Sequence, residues 1–303
     1  MHTPVLLNEV IKLLNPRPEE FIIDGTLGGG GHTREILEFI GRDGKLLGID
    51  WSAQAIAQCW EQMKDYPNVI LLQENYANIP EILKDKNLGK ADGLLLDLGF
   101  SSDELEFSGR GFSFRKDEPL LMTYDNACTP VRDILSQTNE EELARIIYEF
   151  GEERFSRRIA KAIKESARKK KIETSGELAG IIAAALPKSY ERGRIHPATR
   201  TFQALRIYAN DELGNLKTIL EALPQILQNG GRAVVISFHS LEDRLVKNAF
   251  RDMAKAGTVE TLTNPEGKRF SNGAGKPITS SQEEIASNPR SRSAKLRAVR
   301  LGI

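Results

Sequence analysis

Three acidic residues with the same local setting indicate where chemistry takes place in this sequence. Asp24, Asp50 and Asp97 each end a short run of apolar, β-forming residues. Such runs are typical of buried parallel strands, whose carboxyl ends meet at one edge of a sheet. Any one of these acids is also explained as an ordinary strand cap. Three carboxylates at one edge, however, indicate a ligand that is cationic or rich in hydroxyl groups.

A run of glycines follows the first of these acids. Gly28–Gly31 remove every side chain from the turn, and the sequence predicts a helix with an apolar face from His32 to Ile40. A strand, a glycine turn and a helix N-terminus form a cradle whose backbone a ligand can approach closely. The alternative interpretation of the glycine run is a flexible connector.

Asp50 has the spacing of a ribose-binding acid. In doubly wound sheets, an acid at the end of the second strand, ~20 residues after the glycine turn, hydrogen-bonds ribose hydroxyls. This layout fits both a nicotinamide cofactor and S-adenosylmethionine. Asp24, directly before the glycines, favours a ligand with an amino group and a sulfonium, because it would repel a pyrophosphate. The P-loop pattern is absent, since Pro277 follows Gly273-Ala-Gly-Lys276.

The elements that position these residues are predicted from apolar periodicity. Helices are predicted at 6–14, 32–40, 53–63 and 201–228. Strands are predicted at 21–24, 45–50, 69–72, 91–97, 232–239, 258–262 and 296–301. Ser240 fits a helix-capping pattern, and residues 270–287 are predicted to form a long loop.

The alternation of strands and helices stops between residues 101 and 201. Residues 131–186 are predicted to be mostly helical, which indicates an inserted helical domain. Within it, basic residues recur at helical spacing opposite an apolar stripe. They are Arg154, Arg157, Arg158, Lys161, Lys164 and Arg168, extended by Lys169, Lys170 and Lys171. This face is predicted to bind phosphates, with a solvated helix surface as the alternative. A second basic segment runs from Asn288 to Arg297.

Composition bounds the classes of function. The 303 residues are 40% apolar and 28% charged with zero net charge, so binding to nucleic acid must rest on local basic patches. Cys59 and Cys128 are the two cysteines, which argues against a disulfide framework or a zinc site and fits a reducing cytosol. No apolar run reaches the ~18 residues of a membrane helix, and Glu9 and Lys12 interrupt the apolar N-terminus, so no signal peptide is expected.

Seven blocks of residues resemble, in order and nearly end to end, the bacterial RsmH (MraW) family. The most specific block is His-Pro-Ala-Thr-Arg-Thr-Phe-Gln-Ala-Leu-Arg, at His196–Arg206. The seven blocks are Asp24–His32, Leu96–Ser102, Arg110–Arg115, Tyr148–Phe155, His196–Arg206, Ile236–Arg244 and Asn288–Arg297. The resemblance implies an S-adenosylmethionine-dependent methyltransferase acting on N4 of a cytosine in the decoding region of 16S rRNA, in the small ribosomal subunit. It implies an α/β fold of class I methyltransferase type, a Rossmann-like doubly wound sheet.

The resemblance also implies the domains and the site. A cofactor-binding methyltransferase domain spans 1–105 and 202–303, and an inserted all-helical substrate-recognition domain spans 106–201. The implied cofactor contacts are Gly30, Gly31, His32, Asp50, Tyr76, Asp97 and Glu104. Glu104 stands where the family usually has Gln, and Leu121 and Thr123 stand where it has an acid and a base.

A mechanism follows from the position of Asp97. The lone pair of an exocyclic cytosine amine is delocalised into the ring, so a group accepting a hydrogen bond from N4–H draws it toward a reactive form. Asp97 is the predicted catalytic residue, with Ser101 and His239 next in line, and Phe100 is expected to stack on the base. RNA contacts are predicted at Arg154, Arg157, Arg158, Lys161, Arg290 and Arg292. No metal is expected.

Two other classes of function stay open on the sequence. A nicotinamide-dependent dehydrogenase shares the layout of strand, glycine turn, helix and acid. A non-catalytic RNA-binding factor for ribosome assembly would keep the basic helix, although three carboxylates at the sheet edge would repel phosphate. The oligomeric state stays open between monomer and homodimer.

Overall fold

The computed structural model describes residues 4–98, 109–125, 127–190, 195–262 and 276–302. The chain divides into two compact units. The first joins Met1–Gly99 to Leu213–Ile303, and the second is Phe100–Glu212. No helix in these described ranges is long and apolar enough to cross a membrane.

The first unit is built on a seven-stranded sheet. Its order is β3-β2-β1-β4-β5-β7-β6, with β7 antiparallel to both of its neighbours and the remaining pairs parallel. The strands are β1 (Phe21–Asp24), β2 (Lys45–Asp50), β3 (Val69–Gln73), β4 (Ala91–Asp97), β5 (Leu227–Ser237), β6 (Val259–Leu262) and β7 (Lys295–Leu301). Strand order reverses between β1 and β4, which is the switch point where open α/β sheets bind ligands. The expected doubly wound sheet is therefore confirmed.

Both faces of this sheet are buried. Ile22 packs in one hydrophobic cluster and Ile23 in another, because successive side chains of a strand point to opposite faces. The helices of the first unit are α1 (Leu7–Leu14), α2 (Gly31–Ile40), α3 (Ala53–Met63), α4 (Ile79–Asp85), α10 (Glu212–Ile226, which begins on the last residue of the second unit), α11 (Ser240–Lys255) and α12 (Gln282–Ser287).

In the second unit, the described residues 109–125 and 127–130 form a loop, and residues 131–186 are mostly helix as predicted. Its helices are α5 (Val131–Gln137), α6 (Glu140–Gly151), α7 (Ser156–Lys169), α8 (Ser175–Ala185) and α9 (Thr199–Ala209). They enclose a separate hydrophobic core. Gly151 packs against α9 so closely that a Cβ atom there would lie 2.5 Å from the carbonyl oxygen of Arg200. This contact explains why a glycine ends α6.

Three predicted elements differ from the structure. The predicted helix 201–228 is two helices, α9 and α10, separated near Asp211, whose φ is 47°. Strand β5 begins at Leu227 rather than at 232, because the stretch around Gly230 forms an irregularity within the pairing of β4 and β5 instead of ending a helix. The predicted loop 270–287 contains α12, which begins where the Ser281 hydroxyl accepts a hydrogen bond from Glu284 N–H.

Candidate active site

The turn after β1 joins the ends of three strands. Gly25 N–H donates to Leu95 O of β4, and Leu27 N–H donates to Ile49 O of β2, both at 2.9 Å. The turn therefore spans both neighbours of β1 at their carboxyl ends. This brings the acids that end β2 and β4 to the same edge, as the sequence predicts.

Asp24 is buried inside the protein, not presented to a ligand. Its carboxylate accepts a hydrogen bond from the Thr33 hydroxyl at 2.6 Å and another from Thr26 N–H at 3.2 Å. Burial raises the pKa of Asp24 to about 6, despite these hydrogen bonds, and the nearby Asp50 charge adds to the increase. The expectation that all three acids face a ligand is therefore wrong for Asp24, which holds the turn to α2.

Asp50 organises the turn and keeps acceptor capacity. One carboxylate oxygen accepts from Gly28 N–H and the other from Ser52 N–H, each at 2.8 Å. Burial raises the pKa of Asp50 above its usual value, although these two hydrogen bonds oppose the increase. A carboxylate has about four acceptor positions, so the two bonds leave room for ligand hydroxyls.

Asp97 is fixed by the turn and lies near a buried histidine. Its N–H donates to the Thr26 hydroxyl at 2.6 Å, and one carboxylate oxygen lies 3.8 Å from Nδ1 of His32. Nε2 of His32 lies 3.0 Å from Val5 O, which can only accept, so Nε2 carries a proton. Sequence reasoning missed Thr26, although a hydroxyl residue inside a glycine turn was the available signal.

The glycines of the turn have different roles. A Cβ atom on Gly30 would lie 2.8 Å from Met63 Cε, and one on Gly31 would lie 2.5 Å from Pro4 Cγ. Close packing against the protein thus explains these two glycines, and their cofactor contacts stay predictions. Gly28 has φ +50°, and a Cβ atom there would meet nothing nearer than 3.9 Å. Its open side is where a ligand can approach the backbone.

Tyr76 lies beside this turn. It begins the short 3₁₀ helix Tyr76–Asn78 that follows β3, and its Cβ would lie 3.3 Å from a Cβ atom on Gly25. Glu74 N–H donates to Asp50 O at 3.0 Å, which fixes the start of this segment at the same edge. The half-buried ring therefore stands where an aromatic wall for a bound adenine is predicted.

His239 caps α11 and so replaces Ser240 in the predicted role. His239 Nδ1 accepts from Glu242 N–H at 3.4 Å, and a carboxylate oxygen of Glu242 accepts in return from the N–H groups of Phe238 and His239 at 2.8 and 3.2 Å. The other oxygen lies 3.1 Å from Nε2 of His239. The prediction for Ser240 is wrong because the capping residue is one position earlier. A catalytic part for His239 stays a prediction.

Phe100, Ser101 and Glu104 lie outside the described residues. Their predicted roles as base platform, alternative catalytic group and cofactor contact stay predictions. Two other positions that depart from the family pattern are described. Thr123 is buried, and its hydroxyl and carbonyl accept from the Arg110 guanidinium at 2.8 and 2.6 Å, while Leu121 bonds through its backbone to Arg110 O at 3.2 Å.

The predicted basic face of the second unit is smaller than its sequence indicates. Arg154, Arg157, Arg158 and Lys161 are exposed on and just before α7. Lys164 instead donates to the carbonyls of Leu135 and Thr138, at 2.7 and 2.6 Å, and closes the end of α5. Two further lysines form ion pairs: Lys170 with Glu177 at 2.5 Å, and Lys171 with Asp133 at 3.1 Å and with Glu173 at 3.6 Å.

The second basic segment is also divided. Arg292 is exposed and Arg290 is half-buried in the 3₁₀ helix Pro289–Ser293. Arg297 and Lys295 instead hold Asp243 of α11, at 2.8 and 3.3 Å. Burial alone would raise the pKa of Asp243, but these two cations lower it below its usual range. Arg292 is thus exposed, whereas Arg297 and Lys295 are paired with Asp243.

The edge fits a cofactor with a ribose and a cationic group. Asp50 offers free acceptor positions, Gly28 leaves the backbone open, and Asp97 supplies negative charge on the β4 side of the turn. Together, the sheet order and this edge define the class I S-adenosylmethionine-dependent methyltransferase fold.

Comparison with known proteins identifies the family. The chain belongs to the MraW methylase family, which it matches over residues 1–301. It is 44% identical to a ribosomal RNA small subunit methyltransferase H of Geotalea uraniireducens, over 98% of this chain and 97% of the relative. It is 45% identical to that of Deinococcus deserti, over 98% and 92%. A solved rRNA methylase from Streptococcus thermophilus has a TM-score of 0.41 at 9% identity, covering 98% of this chain and 94% of that one. Membership in a methylase family sets aside the dehydrogenase alternative.

Proposed function

We propose that this chain uses S-adenosylmethionine to methylate N4 of a cytosine in the decoding region of 16S rRNA. The observation that carries the proposal is the pair of acids on either side of the glycine turn, Asp50 at the end of β2 and Asp97 at the end of β4. The family match over residues 1–301 and the relatives' name, ribosomal RNA small subunit methyltransferase, support the same substrate class. Small ribosomal subunits are assembled in the bacterial cytoplasm, so we expect the protein there.

The first unit would hold the cofactor. Asp50 accepts from the ribose hydroxyls, Tyr76 flanks the adenine, and the backbone at Gly28, Gly30, Gly31 and His32 surrounds the rest of the molecule. Bound S-adenosylmethionine supplies a methyl group on a positively charged sulfur.

Asp97 would be the main catalytic residue. Its carboxylate would accept a hydrogen bond from the cytosine N4–H, which localises the amine lone pair and offsets the positive charge that develops on the nitrogen. The same carboxylate would take the proton that N4 loses when it gains the methyl group. The hydrogen bond from Asp97 N–H to the Thr26 hydroxyl fixes the residue before substrate arrives.

The second unit would recognise the RNA. Arg154, Arg157, Arg158 and Lys161 bind phosphates, assisted by Arg290 and Arg292 of the first unit. The target cytosine must leave its stack to be read and modified, and Phe100 and Ser101 are expected to contact it. We therefore propose the inserted helical unit as the substrate-recognition domain.

The test is a single-turnover methylation assay on small ribosomal subunits with Asp97→Ala and Asp97→Asn. Losing one preorganised hydrogen-bonding group at a reacting centre costs ~10²–10³-fold in rate. Asp97→Ala should show this loss, and Asp97→Asn should lie between it and wild type. Asp92→Asn is the matched control, because Asp92 lies at the opposite end of β4, where it accepts from Phe21 N–H.

Saturating cofactor separates catalysis from binding. We expect the slow rate of Asp97→Ala to persist at saturating S-adenosylmethionine. A wild-type rate under those conditions would mean that Asp97 only binds the cofactor.

A further inference from the structure

A groove between α6 and α7 of the second unit is lined by an exposed tyrosine, Tyr148, which has no role in the function proposed above. Its volume is about 1050 Å³. Pockets that hold small molecules have volumes of about 300–1,000 Å³, so the groove has room for a nucleotide with its flanking phosphates. It is lined by Glu140, Glu141, Ala144, Arg145, Tyr148, Arg154, Phe155, Ser156, Arg157 and Arg158.

An aromatic ring is exposed in this groove. Tyr148 is 62% exposed, although Ile146 and Ile147 just before it on α6 are fully buried. Among the residues that the structure describes, its hydroxyl has no hydrogen-bond partner and its ring has no aromatic contact. An exposed ring beside positive charge is the arrangement with which proteins stack and hold unpaired bases.

The charges of the groove are arranged by sign. Arg157 and Arg158 are exposed, and within the described ranges neither forms an ion pair, while the Arg154 guanidinium lies over the Phe155 ring at 4.9 Å. Arg145 is already engaged by Glu142 and Glu149, at 2.5 and 3.3 Å. A phosphate would thus be attracted to the end of the groove formed by Arg154, Arg157 and Arg158.

Acids line the groove at the start of α6. Glu140 and Glu141 belong to its first turn and would repel a phosphate there. Their carboxylates can accept hydrogen bonds from the exocyclic amine of a base. The groove therefore fits a nucleotide in one orientation, with its phosphate at the arginines and the edge of its base toward the acids.

We propose that this groove binds one unpaired nucleotide of the RNA substrate, whose base stacks on Tyr148. The nucleotide is distinct from the cytosine that is methylated. The inference rests on the proposed function, because it names a second contact with the same class of substrate.

The probe is a single-stranded hexaribonucleotide with a central 2-aminopurine, whose fluorescence falls when the base stacks. Wild-type protein should quench the fluorescence and bind. Tyr148→Ala should lose the quenching and bind roughly five- to 150-fold more weakly, the range that corresponds to losing one base–aromatic stack. Tyr148→Phe should behave as wild type, because stacking needs the ring and not the hydroxyl.

Two comparisons make the result specific. An oligonucleotide that is abasic at the central position should bind wild type and Tyr148→Ala equally, because the stacking partner is gone from both. Tyr208→Ala is the matched control, since Tyr208 is an exposed tyrosine of the same unit whose ring lies 6.1 Å from Phe150 and outside the groove.

Three results would overturn the inference. Wild type and Tyr148→Ala could bind the oligonucleotide and quench its fluorescence equally, with methylation of subunits intact. That result would refute nucleotide binding in the groove and leave the proposed function standing. Weaker binding of Tyr148→Ala to whole subunits but not to the oligonucleotide would mean that a ribosomal protein occupies the groove. If wild type neither binds the oligonucleotide nor methylates subunits, the proposed function fails with it.

Discussion

Burial separates Asp24 from the other two acids of the sheet edge. Its carboxyl is 1% exposed and is bonded inside the turn, whereas Asp50 and Asp97 are only partly buried. A strand that ends in an acid specifies which edge the acid lies on, but the depth of the side chain depends on what packs over it. Here Thr33 of α2 covers Asp24, which the sequence pattern alone does not show.

The raised pKa of Asp24 predicts a pH dependence of stability. The ordinary pKa of an aspartate is 3.8, and the pKa of Asp24 in the folded protein is about 6. Between these pH values the folded state therefore binds more protons than the unfolded state. The free energy of unfolding should therefore fall as pH rises from about 4 to about 6, by an amount on the order of 2–3 kcal/mol, and then stay level with respect to this group.

Urea unfolding of wild type and Asp24→Asn between pH 4.5 and 7.5 measures this contribution. The asparagine cannot ionise, so the difference in stability between the two proteins should change in favour of Asp24→Asn as pH rises. A difference that is constant across the range would show that Asp24 does not titrate there.

Asp50 leads to a prediction about cofactor affinity. A hydrogen bond to a charged group contributes ~1.5–3 kcal/mol, so Asp50→Ala should weaken binding of S-adenosylmethionine roughly ten- to a hundredfold. Titration calorimetry measures the affinity. Asp43→Ala is the matched control, because Asp43 is an exposed acid just before the other end of β2. If Asp50→Ala binds S-adenosylmethionine as tightly as wild type does, Asp50 is only a strand cap.

At the scale of elements, the sequence predicts the sheet well because its signals are local. Each strand is an apolar run with a clear end, and the alternation of strands and helices indicates a doubly wound sheet. The errors fall where contacts between distant residues decide the structure. Asn229-Gly-Gly231 has the composition of a helix end, yet pairing with β4 draws it into β5.

The candidate site also combines residues that the local sequence predicts with residues that contacts between distant parts of the chain determine. Asp50 and Asp97 are found from their positions at strand ends. Thr26, in contrast, matters only because the turn folds back onto β4, and Lys164 leaves the basic face only because α5 ends beside it. These contacts are formed by the fold and have no periodic signature.

The capping box of α11 provides a test at this scale. Glu242 is buried and accepts from two backbone N–H groups through one oxygen. Glu242→Ala leaves both donors without that acceptor and should lower the free energy of unfolding by about 1–3 kcal/mol, as judged by urea unfolding. Glu177→Ala, which removes the equivalent acid of a more exposed capping box on α8, should cost less. An equal or smaller loss for Glu242→Ala would contradict this account of the helix start.

At the scale of the whole molecule, zero net charge conceals an uneven distribution. Acids gather at the ligand edge of the first unit, while exposed arginines gather around α7 in the second. In the proposed function, the first patch binds a cationic cofactor and the second binds phosphate. Total charge therefore carries no information about RNA binding by this chain.

Charge reversal on α7 tests the second patch. Arg157→Glu with Lys161→Glu should weaken RNA binding and leave cofactor affinity unchanged. The slope of log affinity against log salt should become shallower by about two, since each lost phosphate contact changes it by about one. Lys217→Glu with Lys255→Glu is the matched control, because it makes the same charge change in the first unit. Lys217 pairs with Glu221 at 3.9 Å, just as Lys161 pairs with Glu165. If the two double variants change RNA affinity equally, the basic face of α7 is only a solvated surface.

The central claim is that this protein methylates N4 of a cytosine in 16S rRNA with Asp97 at the reacting centre. Nucleoside mass spectrometry of small-subunit rRNA tests it most directly, in cells that carry the wild-type protein, lack it, or carry Asp97→Ala. The account predicts a methyl group on N4 of one decoding-region cytosine with wild type, its absence without the protein, and a severe reduction with Asp97→Ala. An unchanged methylation pattern in cells lacking the protein would contradict it.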